Sequence, residues 1–132
     1  MCIFCKIISN EIPSYKIYED NEIIAILDIT QVTKGHTLVI PKKHYANILE
    51  SDDELTAKLF NVSKLLAIHI SNTLKCNGCN ILTNVNEVAG QSVFHTHIHV
   101  IPRYDDTDSI SIEFNESAFK DSIEDTYNIL KK

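Results

Sequence analysis

The sequence has no tryptophan, one methionine, and only three glycines and three prolines in 132 residues. So little glycine and proline excludes collagen-like, low-complexity and linker-rich chains. No apolar run approaches the ~20 residues of a membrane span. The N-terminus lacks the basic segment and long apolar core of a secretory signal, so a cytoplasmic chain is expected. Positive charge is also scarce: 12 Lys and Arg face 18 Asp and Glu, for a formal net charge of -6. That field repels a phosphate backbone and excludes non-specific DNA or RNA binding. A small anion remains admissible where local donors hold it.

What is present fits a globular protein: 44% of residues are hydrophobic and 23% charged. A chain of this length can bury a core, and one domain over residues 1–132 is expected. Four cysteines form two Cys-x-x-Cys pairs, Cys2 with Cys5 and Cys76 with Cys79. In a reducing compartment metal binding, redox chemistry and plain packing come before disulfides. The two pairs are too far apart for a zinc ribbon, whose pairs sit ~15–20 residues apart.

Hydrophobic spacing predicts a short helix over 2–10 and strands over 15–18 and 22–28, with Glu19-Asp20-Asn21 as the turn. A third strand, 36–40, follows Gly35 and ends at Pro41. Ser51-Asp52-Asp53-Glu54 has capping-box form. Leu55, Leu59, Val62, Leu66 and Ile70 then recur at helical spacing. This helix is expected to end near Lys75, with Gly78 permitting the turn. Two more strands, 80–86 and 94–101, follow, the second closed by Pro102. Phe119, Ile123, Tyr127 and Leu130 mark an amphipathic C-terminal helix. Strands in neighbouring runs predict an α+β fold: a five-stranded antiparallel sheet with one long helix and a C-terminal helix.

The decisive segment is His95-Thr96-His97-Ile98-His99-Val100-Ile101. Alternate side chains of a strand share one face, so the three imidazoles are expected to project together. Such a face supports either metal coordination or nucleophilic and acid–base catalysis near neutral pH. Gly90-Gln91-Ser92 precedes it. A glycine turn with short polar donors can hold phosphate oxygens, although most such tripeptides are ordinary loops.

These residues resemble the histidine triad (HIT) superfamily, whose signature alternates three histidines with apolar residues. Thr96 is the one polar choice. Further similarity lies in Cys2-Ile-Phe-Cys-Lys-Ile-Ile, Glu11-Ile-Pro-Ser, Tyr18-Glu-Asp, Asp28, and the run from Gly35-His-Thr through Ile40-Pro-Lys-Lys-His44. Together with Gly90-Gln-Ser they look like the Hint-like branch. The resemblance runs over 2–104; the helical tail 105–132 carries no assigned motif.

The resemblance implies a nucleotide hydrolase that cleaves nucleoside 5′-phosphoramidates or related phosphoanhydrides through a nucleotidyl-histidine. His97 would attack the α-phosphorus. His99 would serve the leaving group, His36 would stand behind the triad, and His95 would orient His97. Asn84, Gly90, Gln91 and Ser92 would bind phosphate oxygens, and Asp28 the ribose hydroxyls. Ile3, Phe4, Ile7 and Ile26 would line a purine pocket. A homodimer is implied, with no nucleic-acid or membrane partner. Some bacterial-type members also bind zinc, which implies a closed structural site of Cys2, Cys5, His44 and His95. Cys79, within Gly78-Cys79-Asn80-Ile81, would instead pack. Three readings stay open: this hydrolase, including a dinucleoside polyphosphate variant; a metalloenzyme whose histidines hold catalytic zinc; and a non-catalytic nucleotide-binding adaptor.

Overall fold

The computed structural model describes residues 2–116 and 122–132. In chain order these form α1 (Ile3–Ile8), β1 (Lys16–Glu19), β2 (Ile23–Leu27), β3 (Thr37–Pro41), α2 (Asp53–Leu74), β4 (Gly78–Leu82), a 3₁₀ turn (Glu87–Ala89), β5 (Ile98–Arg103) and α3 (Ile123–Leu130). The five strands make one antiparallel sheet in the order β1-β2-β3-β5-β4. The α+β expectation therefore holds.

Both faces of the sheet centre are covered, and side-chain alternation assigns each residue to a face. Ile23 and Ala25 of β2, Val39 of β3, and Ile98 and Val100 of β5 pack under α2. Leu55, Leu59, Val62, Leu66 and Ile70 meet them from the helix. Ile24 and Ile26 of β2 and Leu38 and Ile40 of β3 turn the other way, against Phe4 and Ile7 of α1. Thus β2 reads Ile-Ile-Ala-Ile-Leu without polar alternation, because neither of its faces meets water.

Several local details differ from the sequence reading. The N-cap of α2 is Asp52, whose carboxylate accepts from Leu55 N at 2.8 Å. Ser51 is instead held by Ile48 O and Thr56 Oγ1. A carboxylate one residue later gains the helix dipole as well as the hydrogen bond. The helix stops at Lys75, which takes the left-handed conformation itself (φ 59°), while Gly78 opens β4. Pro102 does not close β5; it lies inside it, paired with Cys79. Pairing of β5 to β3 ends at Val100, so the missing N–H of Pro102 faces no ladder partner.

Gly35 (φ 95°) is needed for packing as well as conformation. A Cβ there would stand 2.7 Å from Leu74 Cδ1 and 3.2 Å from Pro102 Cγ. Its absence lets the end of α2 close on β5 just before His36. At the C-terminus, α3 forms from Ile123, capped by Ser122, and buries no residue among those described. Phe119 lies outside the described residues.

Candidate active site and metal centre

The histidine run divides between two environments. Regular strand pairing starts at Ile98, so His95 and His97 precede β5, which corrects the expected start at Phe94. The reason is the partner: Thr96 gives its N–H and its Oγ1 to Tyr45 O at 2.7 and 3.0 Å. A loop, not β3, receives this stretch. Thr83 Oγ1 donates to His97 O at 2.7 Å from the other side. Phe94, expected in the strand, is 49% exposed. Thr96, Ile98 and Val100 are buried on the opposite side, as the alternation predicts. Phe4 meets both His95 and His97 edge-on, with ring centroids 5.8 and 5.0 Å away.

The tautomers follow from acceptors that cannot donate. His97 Nδ1 lies 2.7 Å from His95 O. A carbonyl only accepts, so Nδ1 carries the hydrogen. Burial lowers the pKa of His97, with the His95 carbonyl and Asp28 opposing the shift, which keeps the ring neutral. Its Nε2 is then a bare lone pair, on a ring that lines a cavity of about 410 Å³. His95 is fixed in the reverse sense: Nε2 donates to Pro41 O at 2.8 Å, so Nδ1 is bare.

His99 Nδ1 lies 3.0 Å from His36 Nε2, and His36 Nε2 lies 3.7 Å from Asp28 Oδ2. Burial lowers the pKa of both rings, that of His99 to about 4, helped by repulsion from His97 and His36. Among the described residues His36 Nδ1 meets no acceptor in hydrogen-bonding geometry, yet the Thr30 backbone holds that ring's pKa up against burial, so the surroundings do not choose one tautomer for the His36–His99 pair. His99 also lines the cavity.

The apolar wall of that cavity includes Ile3, Phe4, Ile7 and Ile26, all named from the sequence. Ser92 and Asp28 stand among its polar residues. Asp28 Oδ1 accepts from Thr30 N at 2.8 Å, which leaves Oδ2 with a free lone pair. Val93, Ile29 and Thr30 line it too; no periodicity or motif singles them out in the sequence. Gly90 takes φ 103°, which permits the tight loop. Asn84 Nδ2 reaches Gly90 O at 3.4 Å and holds that loop from outside the cavity lining.

Gln91 departs from its expected role. Its Nε2 donates to Ala46 O at 2.6 Å and to Val93 O at 3.1 Å, and its Oε1 accepts from Asn86 N at 2.8 Å. Its own N–H goes to Asn86 O. With every donor committed and 3% exposure, Gln91 braces the loop. Asn86, at φ 69°, is the strained residue that makes this bracing possible, and no local pattern marks it.

A second cluster lies at the far side of Phe4. One ligand atom from each of Cys2, Cys5, His44 and His95 falls within 4.8 Å of the others. His95 Nδ1 is 3.4 Å from Cys2 Sγ, 3.6 Å from Cys5 Sγ and 3.0 Å from His44 Nδ1. His44 Nδ1 is 3.4 Å from Cys5 Sγ. Ligands at ~2.0–2.3 Å around a tetrahedral ion stand roughly 3.3–3.8 Å from one another, so the set fits a zinc-sized cation. The bare Nδ1 of His95 points into it, and the bond to Pro41 O orients that ring from behind. Among the described residues Cys76 and Cys79 join no such group; Cys79 packs partly buried against the core under α2.

The HIT domain family model matches residues 9–106. The curated Protein hit of Bacillus subtilis is 49% identical over 128 residues, covering 97% of this chain and 88% of its own. The adenylylsulfatase HINT3 of Arabidopsis thaliana is 41% identical over 102 residues, 77% of this chain and 52% of its own. A HIT family protein from Bacillus anthracis superposes with TM-score 0.90 at 44% identity, over 97% of this chain and 91% of that one. A Zn-bound histidine triad family protein from Mycobacterium smegmatis gives TM-score 0.78 at 38% identity, over 88% of this chain and 84% of that one. With its alternating histidines around a cavity and this breadth of similarity, the chain belongs to the HIT family.

Proposed function

We propose that this protein is a nucleotide hydrolase that cleaves adenosine 5′-phosphoramidates or related AMP conjugates through a nucleotidyl-His97 intermediate. The observation that carries the reading is the fixed tautomer of His97. Its Nδ1–H is held by His95 O, so a neutral Nε2 faces the cavity. The purine would enter between Phe4, Ile7 and Ile26, the ribose hydroxyls would donate to Asp28 Oδ2, and the phosphate would lie against Ser92. A cavity of about 410 Å³ suits a mononucleotide.

In the first step His97 Nε2 forms a bond to the α-phosphorus as the bond from phosphorus to the leaving amine breaks. The departing amine takes a proton that His99 has first drawn from solvent, so that ring acts as an imidazolium and returns to neutral. As negative charge gathers on the phosphate, it opposes the depressed pKa of the rings beside it, which eases passage of a proton along His36 and His99. In the second step water attacks phosphorus, loses its proton to His99, and releases AMP with His97 restored. The balance is one water consumed and one amine and one AMP formed. The relation to HINT3, an adenylylsulfatase, supports a substrate in which AMP is joined to a good leaving group.

Zinc in the Cys2, Cys5, His44 and His95 cluster is part of the reading. Four protein ligands leave no position for substrate, so the metal would be structural. The ligand spacing supports it, as does the Zn-bound relative. The reading is of one domain working as a cytoplasmic homodimer; sedimentation tests the assembly. No described helix is long and apolar enough to cross a membrane.

Steady-state kinetics on an AMP–amine phosphoramidate and on diadenosine polyphosphates, beside His97→Ala, test the function. The phosphoramidate is expected to be turned over faster. Unchanged turnover in His97→Ala would falsify the mechanism. A polyphosphate preference redirects the substrate class to the dinucleotides.

A further inference from the structure

Asp28, His36 and His99 form a second group of ligand-type atoms, separate from the cysteine cluster. One ligand atom from each lies within 4.8 Å of the other two. His36 Nε2 stands 3.0 Å from His99 Nδ1 and 3.7 Å from Asp28 Oδ2. Those separations are close to the roughly 3.3–3.5 Å edges of a tetrahedral first-row ion held by nitrogen and oxygen.

The donor set is also apt. Two imidazoles and one carboxylate form an open three-ligand site, with a fourth position left for solvent or a bound molecule. Asp28 and His99 line the cavity, so that position faces the nucleotide pocket. His36, 4% exposed, fixes the set from behind. Ligation takes the bare form of His36 Nε2 and His99 Nδ1, so each neutral ring then carries its hydrogen on its other nitrogen. His97 is not in the group, its Nδ1 being tied to His95 O.

Oδ2 is the less committed oxygen of Asp28, because Oδ1 already accepts the N–H of Thr30. A ribose hydroxyl and a metal would both be drawn to Oδ2, and a metal pulling it towards the two imidazoles turns the carboxylate away from the ribose.

We propose that Asp28, His36 and His99 constitute a second divalent transition-metal site, and that an ion there and a nucleotide exclude one another. The exclusion rests on the ribose placement of the proposed function; the metal site stands on its own geometry. The consequence is inhibition by zinc-class ions at concentrations above those that fill the cysteine cluster, relieved by nucleotide or by a weak chelator.

The test is calorimetric titration of the full chain with Zn²⁺, followed by Co²⁺ absorption to separate the sites. Two equivalents per chain are expected, the tighter one giving thiolate charge-transfer bands with Co²⁺ and the weaker one giving none. Asp28→Asn, which keeps the shape of the side chain, and His36→Ala should each weaken the second equivalent by roughly 100-fold or more. Cys5→Ser should spare it. Saturating AMP should weaken it at least tenfold in the unaltered protein. A single equivalent overturns the site, as does a second equivalent untouched by both Asp28→Asn and His36→Ala. Full second-site affinity with AMP bound overturns the exclusion. Failure of AMP to bind at all overturns the exclusion and the nucleotide reading together, while the stoichiometry still decides the metal site. Absence of turnover with AMP binding and two metal equivalents intact overturns only the hydrolase.

Discussion

The two sides of β5 use the same stretch of chain for opposite ends. Ile98 and Val100, both fully buried, enter the apolar layer under α2. His97 and His99 point the other way and line the cavity beside α1. Under α2 each residue contributes through contact area, and any apolar group of the right size serves. Beside α1 each ring is defined by where its hydrogen sits, and His97 is set by one carbonyl at 2.7 Å. On one side the strand contributes buried apolar area; on the other it presents rings to a cavity, with the hydrogen of His97 fixed by a backbone carbonyl.

Substitutions on the two sides should therefore separate. The largest effect expected is on the site side: His97→Ala lowers kcat/KM by roughly 10⁴-fold or more while the melting temperature changes little. Thermal melts beside kinetics read both. Next is the core side: Leu59→Ala, fully buried, should cost about 2–5 kcal/mol of stability in denaturant titrations. The folded fraction should keep its per-site activity. A large selective loss of kcat in Leu59→Ala breaks the division.

The cysteine cluster sharpens the comparison, because α1 carries Cys2 and Cys5 together with the cavity residues Ile3, Phe4 and Ile7. Chelation or Cys5→Ser should lower the melting temperature and raise KM several-fold, with a smaller change in kcat. Loss of kcat alone, at constant KM and melting temperature, contradicts a structural role.

The smallest effect expected is on pH dependence. His99 titrates near 4 in the fold and about 6.5 when unfolded. Between those values the unfolded chain binds a proton that the folded chain refuses, so stability falls as pH drops from 6.5 towards 4. Denaturant titrations across that window should show a shallower slope in His99→Gln.

Much of this was legible in the sequence because it depends on alternation. The heptad-like run from Leu55 to Ile70 gave the covering helix, and the two-residue period from His95 to Ile101 gave which rings share a side. Asp28, Ser92, Phe4 and Ile26 were named from the family resemblance, and the cavity includes all of them. What the sequence hid depends on distant backbone. Tyr45 O receives Thr96 and so delays the start of β5; no local signal marks that partner. Gln91 looks like a phosphate donor until its amide is seen bound to Ala46 O, Val93 O and Asn86 N. Asp52 displaced Ser51 as the cap because two good capping residues stand side by side, and local pattern does not choose between them.

The central claim is that His97 Nε2 bonds to phosphorus during turnover. Mass spectrometry of His99→Ala protein, quenched while hydrolysing an adenosine 5′-phosphoramidate, tests it most directly. The account predicts one adenylyl group per active chain, carried on the peptide that contains His97 and absent from His97→Ala. Turnover without any adduct, or an adduct on another side chain, contradicts it.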